Sequence, residues 1–212
     1  MMRSLFFVML FLVSSLLKAE GDSVQYVQGF SFSEGVYLTY NDFIRNAPLP
    51  KSAVIFEALD TARLDYLKQT LTKDSFKWKD SSGAIHTTKT VSVWGYSENS
   101  TVYIRWNYTF NRVTVIGSIC HFTAYVTSYM YTGPGTYPNQ QYGTPTETLQ
   151  QYVLDTKTGS IYDFNVQTME FLLQRDTALA AEFAALKKKE KRNQTFVYLR
   201  KYNEKHPLYF KR

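Results

Sequence analysis

Hydrophobic and polar residues alternate with a period of two through the middle of the chain, then change to helical spacing in its last quarter. From Ser75, Phe76 and Trp78 alternate with Lys77 and Lys79. Asp80-Ser81-Ser82-Gly83 supplies turn chemistry, and Ala84 to Thr88 returns as the hairpin partner. Val91 to Tyr96 is the next expected strand, and Glu98-Asn99-Ser100 is a turn. Val102, Ile104, Trp106, Tyr108 and Phe110 then fall on one face, with Tyr103, Arg105, Asn107 and Thr109 on the other. Such strict alternation predicts an antiparallel sheet with one buried face. Val113 to Ile116 continues the sheet, and Gly117 marks a bulge or bend. Ser118 to Tyr131 alternates again, with Cys120, Phe122, Ala124, Val126 and Met130 opposed to His121, Thr123, Tyr125, Thr127, Tyr129 and Tyr131. Thr132 to Pro145 is rich in Gly and Pro and reads as a loop. Thr148 to Leu154 is a strand, Asp155 to Gly159 a tight turn, and Ser160 to Phe164 its partner.

Helical signals flank this block. After a short strand at Gly35 to Leu38, Thr39 and Asp42 stand three apart as a capping box for Tyr40 to Asn46, which Pro48 and Pro50 close. Val54 to Phe56 reads as a strand. Leu64, Leu67 and Leu71 share a face of an expected helix over 61–71. Asn165 caps a helix through Leu173, and Asp176 caps a second through about Glu190 that buries Leu179, Phe183 and Leu186. Its lysines would then lie at the C-terminal end, where the helix dipole favours them. Gln194 to Leu199 is a final strand or extended segment, and residues 20–33 read as a flexible lead-in. The fold class is therefore α+β. One domain over 34–212 is expected, an antiparallel, twisted or partly barrelled sheet of about six to eight strands with C-terminal helices over 165–212.

The first nineteen residues change the picture from a fold to an address. Met1-Met2-Arg3 carries a positive charge, Leu5 to Leu17 is almost wholly apolar, and Ala19 ends the stretch in a small residue. That is the pattern of a secretory signal peptide cleaved after about Ala19; the apolar run is short of the roughly 20 residues a membrane span needs. The mature chain is expected to be exported, whether periplasmic, associated with the outer envelope or secreted, with no transmembrane segment. Cleavage lowers the formal charge from +6 to about +4. Much of the excess is local, at Lys187, Lys188, Lys189, Lys191 and Arg192. After export nucleic acid is scarce, so this run points to an anionic surface of lipid or polysaccharide. The single cysteine, Cys120, rules out an internal disulfide. The 17 Tyr, 15 Phe and 3 Trp suit a sheet whose second face is half wet.

Three patches carry a family likeness: Gly35-Val36-Tyr37-Leu38-Thr39-Tyr40-Asn41-Asp42-Phe43, then Trp94-Gly95-Tyr96 with Val102-Tyr103-Ile104, then Tyr202-Asn203-Glu204-Lys205-His206-Pro207-Leu208. The chain resembles a group of uncharacterised exported proteins of Bacteroidetes-type bacteria. The resemblance implies an envelope or secreted location and a single α+β domain, and it carries no catalytic residue across. Asp22-Ser23-Val24, Asp60-Thr61-Ala62 and Asp176-Thr177-Ala178 look like the O-glycosylation signal of that group, although Asp176 is equally explained as a helix cap.

Candidate chemistry is sparse. Cys120-His121 looks like a nucleophile beside its base, but neighbours on a strand point to opposite faces, so thiol and imidazole would not meet. His86, His121 and His206 have no partners at metal-ligand spacing, and no metal or cofactor is expected. Most carboxylates sit in turns or caps. Tyr131, Tyr137, Asn139, Gln140, Gln141 and Tyr142 gather rings and amides in one loop, and Tyr125 and Tyr129 lie on the strand leading into it. Rings and amides are means of holding sugars or peptide backbone, and long loops carry function. The leading expectation is thus a non-enzymatic envelope or secreted binding module whose partner is a protein, glycan or lipid. The alternatives are a hydrolase acting on envelope or external polymers, and a carrier with an apolar cavity inside the curved sheet.

Overall fold

The computed structural model describes residues 23–56, 61–130 and 144–211. Residues 1–19, expected as a signal peptide, and most of the Thr132–Pro145 segment lie outside them. In chain order the described elements are β1 (Ser23–Gln25), β2 (Gly35–Tyr37), α1 (Tyr40–Ile44), β3 (Leu49–Pro50), β4 (Val54–Ile55), α2 (Tyr66–Thr70), β5 (Ser75–Lys79), β6 (Ile85–Lys89), β7 (Gly95–Glu98), β8 (Thr101–Trp106), β9 (Thr109–Val115), β10 (Ile119–Met130), β11 (Thr144–Asp155), β12 (Ser160–Asp163), α3 (Val166–Leu173), α4 (Thr177–Ala184), α5 (Lys188–Lys205) and β13 (Tyr209–Lys211). The fold is α+β, as the pattern predicts. No helix among the described residues is long and apolar enough to cross a membrane.

Eight strands form one antiparallel sheet in the order β12-β11-β10-β9-β8-β7-β2-β3. Short turns join most neighbours. The sheet curls until its ends are linked: the Tyr40 hydroxyl, just after β2, donates to the Thr156 carbonyl in the β11–β12 turn. Gly159 in that turn has φ +77, and a side chain there would press on the Tyr40 ring. A second sheet has the order β4-β5-β6, and β1 pairs with β13. The β5–β6 turn is held by Asp80, whose carboxylate accepts from the Ser82 and Ala84 amides and binds His86.

Most of the large sheet is covered on both faces, apart from the far end of β10 and β11, where Tyr125 and Leu149 are exposed. Inside the curl, Tyr37, Val102, Ile104, Cys120, Phe122 and Leu154 pack with Phe32, Phe43 and Phe210. Those last three come from the segment after β1, from α1 and from β13. Phe32 and Phe210 meet edge to face at 5.4 Å, Phe43 and Phe210 at 5.6 Å, and Trp94 stacks on Phe43 at 4.7 Å. Aromatic rings thus fill the space in which a carrier would hold its ligand. Outside, one half of the sheet is covered by α2 and the small sheet, with Tyr66, Leu67 and Phe76 against Val36 and Tyr96. The other half is covered by α3, α4 and α5, with Met169, Leu173, Phe183 and Leu199 against Ile119 and Val153.

The caps expected at Thr39, Asn165 and Asp176 are all present. Several other expectations need correction. Ser23–Gln25 is a strand, and Phe32 is buried, so the stretch expected as a flexible lead-in is held by β13 and by the aromatic core. The helix expected over 61–71 shrinks to Tyr66–Thr70, leaving Leu64 76% exposed while Leu67 and Leu71 are buried. In the stretch expected as the Val91–Tyr96 strand, Thr90–Ser92 forms a 3-10 turn and β7 begins only at Gly95. The alternating run through Phe110 is two strands, because Asn107 and Tyr108 make a turn. The helix begun at Asp176 stops at Ala184. A new one starts at Lys188 and takes in Gln194–Leu199, because Tyr198, Leu199 and Tyr202 are buried on one face of it.

Candidate functional site

The Asn107-Tyr108 turn stands at the edge of a surface groove. Both residues have positive φ (49 and 65), as a two-residue type I′ hairpin turn requires. The register then places Phe110 opposite Arg105. Directly paired residues share a face, so Phe110 stands on the outer side of the sheet with Arg105 and Tyr103, not with Val102 and Ile104 as strict alternation predicts. The Arg105 guanidinium lies over the Phe110 ring, 5.7 Å from its centre. In the next strand Tyr96 pairs with Tyr103, and their rings stack at 4.6 Å and 7°. Tyr96 is buried, which pushes its phenol above the ordinary tyrosine range and keeps it protonated.

Two other segments wall this ring-lined floor. The end of α2 and the turn after it bring Lys68, Lys73 and Asp74, and the end of β6 brings Lys89 and Thr90. Together they enclose a groove of about 830 Å³. Four cations (Lys68, Lys73, Lys89 and Arg105) line it against the single carboxylate of Asp74. None of the four has an ion-pair partner among the described residues. The hydroxyl of Thr90, 5% exposed, has no hydrogen-bond partner among them either. At the lip Tyr108 is 89% exposed. Glu98 fixes α2 in place: its carboxylate accepts from the Leu67 N–H at 2.7 Å and the Lys68 N–H at 3.3 Å. It does the capping that Asp65, the residue at the cap position, does not. Burial raises the Glu98 pKa above the usual carboxylate value, against the pull of those amides and of Lys51.

A smaller cleft of about 440 Å³ lies on the helical side, between Gln151, Phe164, Phe196, Lys188 and Arg192. His121 is buried beside it. Its ring touches Phe164 and Phe196 edge-on at 5.1 and 4.6 Å, and its nitrogens meet Thr114 Oγ1 at 2.9 Å and Gln151 Oε1 at 3.1 Å. Burial lowers its pKa. The basic run sits at the start of α5, not at the end of a helix. Lys187 is the residue before its first turn; Lys188, Lys189, Lys191 and Arg192 come after it, where the dipole disfavours cations. Glu190 offsets this by accepting from the Lys187 N–H, and Lys191 pairs with Glu170 at 2.7 Å.

The structure brings few of the other sequence candidates together. Tyr125 projects from β10, 60% exposed, opposite Leu149. The backbone of Tyr129 pairs with Pro145, while its side chain and all of Tyr131, Tyr137, Asn139, Gln140, Gln141 and Tyr142 lie outside the described residues. Cys120 donates its thiol to the Gly117 carbonyl in the core, where burial pushes its pKa up to about 12. His121 faces the helices on the opposite side, so the two do not form a dyad. No group of three or more His, Cys, Asp or Glu among the described residues could hold a metal. Sequence reading missed Lys68, Lys73, Lys89, Tyr103, Arg105 and Tyr108 as a set, because they come from three segments and carry no spacing in common. One signal was available: an Asn inside an alternating run can end the strand at a two-residue turn, which sends the next strand's residues to the other face.

A family model described as a family of unknown function (DUF6563) matches residues 35–206. Comparison with curated proteins and with solved structures found nothing similar.

Proposed function

The chain belongs to that family of unknown function, and from this starting point we propose that it is an exported, non-enzymatic binding module that holds an anionic partner in the groove beside the Asn107-Tyr108 turn. Export rests on the charged start, apolar core and small-residue exit of residues 1–19. Binding rests on one observation above all: four cations without ion-pair partners among the described residues surround a floor of tyrosine and phenylalanine rings. Clustered charge of one sign raises the local concentration of an oppositely charged partner and speeds its approach. The rings add apolar area that water solvates poorly. Hydrolysis of a glycosidic bond works with two carboxylates, and this groove offers Asp74 alone beside its cations. That balance favours holding negative charge over cutting a chain. The partner would be met outside the cytoplasm, in the periplasm, on the envelope or in the medium.

The reading is tested by titrating residues 20–212 with dextran sulfate and with uncharged dextran, at low and at high salt. The sulfated polymer is expected to bind and to weaken as salt rises. Reversing charge at Lys73→Glu with Arg105→Glu is expected to cost at least about tenfold in affinity, roughly 1.4 kcal/mol. The same reversal at Lys188 and Arg192 is expected to cost less. Equal loss from both pairs, or none from the first, would overturn the groove as the site. N-terminal sequencing of the protein from its own cells is expected to begin at Glu20; a chain retaining Met1 inside the cell would overturn export.

A further inference from the structure

Two hairpin turns in the large sheet share one backbone geometry and differ in what they carry. Asn99-Ser100 and Asn107-Tyr108 both have positive φ at both residues, 51 and 56 in the first, 49 and 65 in the second. Type I′ turns favour Asn followed by Gly, because the second position is left-handed. Serine there is small. Tyrosine is not: a bulky side chain at positive φ is an outlier that the backbone alone disfavours. The fold gains nothing visible in return. The Tyr108 ring is 89% exposed and makes no hydrogen bond among the described residues, so neither core packing nor polar pairing explains it. A residue held in a disfavoured conformation without a packing reason points to use. Its neighbours say what use. Tyr108 stands at the lip of the groove that Lys68, Lys73, Lys89 and Arg105 line and Tyr103 and Phe110 floor.

We infer that the groove takes a chain of acidic sugars, and that the Tyr108 ring is the platform on which one sugar ring stacks while the four cations meet its carboxylates. The inference rests on the groove being a binding site. A sugar ring presents a flat apolar face edged by hydroxyls, which matches a phenol with an apolar body and a polar tip. Acidic sugars repeat one negative charge per unit, which suits cations spread along a groove better than a single enclosed charge does. Lys68, Lys73, Lys89 and Tyr108 are all exposed, so the groove is open-sided and admits a polymer passing through. Single-stranded nucleic acid offers flat rings and charges too. The leader at residues 1–19 favours sugars, since it takes the chain away from nucleic acid.

The test compares polygalacturonate, neutral dextran and a thymidine oligonucleotide as probes of the mature chain, with Tyr108→Gly, Tyr108→Asn and Tyr108→Phe variants. Tyr108→Gly is expected to move stability and binding in opposite directions. It relieves the left-handed backbone, so the melting temperature rises by a few degrees, on the order of 2–4 °C, while affinity for polygalacturonate falls about tenfold or more. Tyr108→Asn, which also tolerates the turn, is expected to lose binding likewise, and Tyr108→Phe to keep it. Glycine and asparagine variants that bind polygalacturonate as the parent does would overturn the platform. Tighter binding of the oligonucleotide than of polygalacturonate would overturn the ligand class. If no anionic polymer binds and Lys73→Glu changes nothing, the groove itself is not a site, which is a separate failure.

Discussion

Asn203 in α5 holds both backbone groups of Ile119 at the start of β10. Its Oδ1 accepts from the Ile119 N–H at 2.8 Å, and its Nδ2 donates to the Ile119 carbonyl at 2.8 Å. The amide thus stands in for a neighbouring strand where the chain turns between β9 and β10. Gly117 makes room for it: a Cβ there would fall inside van der Waals distance of the Asn203 side chain. Ile119 is fully buried, so Asn203→Ala strands two polar groups away from water. Its expected cost is about 1–3 kcal/mol. Gly117→Ala is expected to cost about 1–3 kcal/mol by overpacking the same spot. Urea unfolding of both variants checks this, and the two losses should not add, because they break one contact.

Glu98 is a helix cap supplied from a strand. Glu98→Ala is expected to cost about 1–3 kcal/mol, because the Leu67 and Lys68 amides lose their acceptor in a buried place. Hydrogen exchange should quicken at those two amides before it does in β8 or β10. Since α2 carries Lys68 to the groove, anion binding should weaken with it.

Asp155 and Arg175 form a two-pronged pair at 2.8 and 2.7 Å, with the carboxylate fully buried. Burial pushes the Asp155 carboxyl up, but the bonds from Arg175 and Thr158 win and hold it below the usual range. Arg175→Ala leaves that buried charge without a cation, at an expected cost of about 3–5 kcal/mol. Arg175→Lys should recover only part, since an ammonium cannot match both oxygens. Thermal melts of the two variants give the comparison.

Acid should unfold the protein in two stages. Burial holds the His121 pKa below its ordinary value, so the unfolded chain takes up the proton first, near pH 6.5. Its contribution is full above about pH 6.5 and is lost as pH falls toward the folded pKa. Asp176 accepts from Lys205 and His206, which hold its carboxyl well below the usual range. With Asp155 it contributes stability that is full above about pH 3.9 and is lost as pH falls further. Melting temperatures measured from neutral pH downward should show both declines. His121→Gln, which keeps a polar side chain of similar length, should flatten the first and leave the second.

Local chemistry made much of the fold legible in the sequence. Thr39 with Asp42, Asn165 and Asp176 act on amides three residues away, and Asp80 and Asp155 shape their own turns. Each of these is a short-range effect, so the sequence displays both partners. What was not legible depends on contacts distant in sequence. Thr195-Phe196-Val197-Tyr198 has strand propensity, yet it is helical because Tyr198, Leu199 and Tyr202 bury against α4 and β10. Ser23–Gln25 becomes a strand only because Tyr209–Lys211 lies beside it. The groove is the extreme case. Its cations come from α2, from the loop after it, from β6 and from β8, and its ring floor depends on a turn that reverses which side Phe110 faces. Of the Tyr125 and Tyr129 face, Tyr125 stands exposed on β10, and the Tyr129 side chain lies outside the described residues.

The most direct test of anion binding in the groove is native mass spectrometry of the protein purified from its own cells, beside the Lys73→Glu, Arg105→Glu double variant. An added mass carrying negative charge is expected on the parent protein, with sugar units on fragmentation, and its loss from the variant. A bare mass for both, or the same adduct on both, would contradict it.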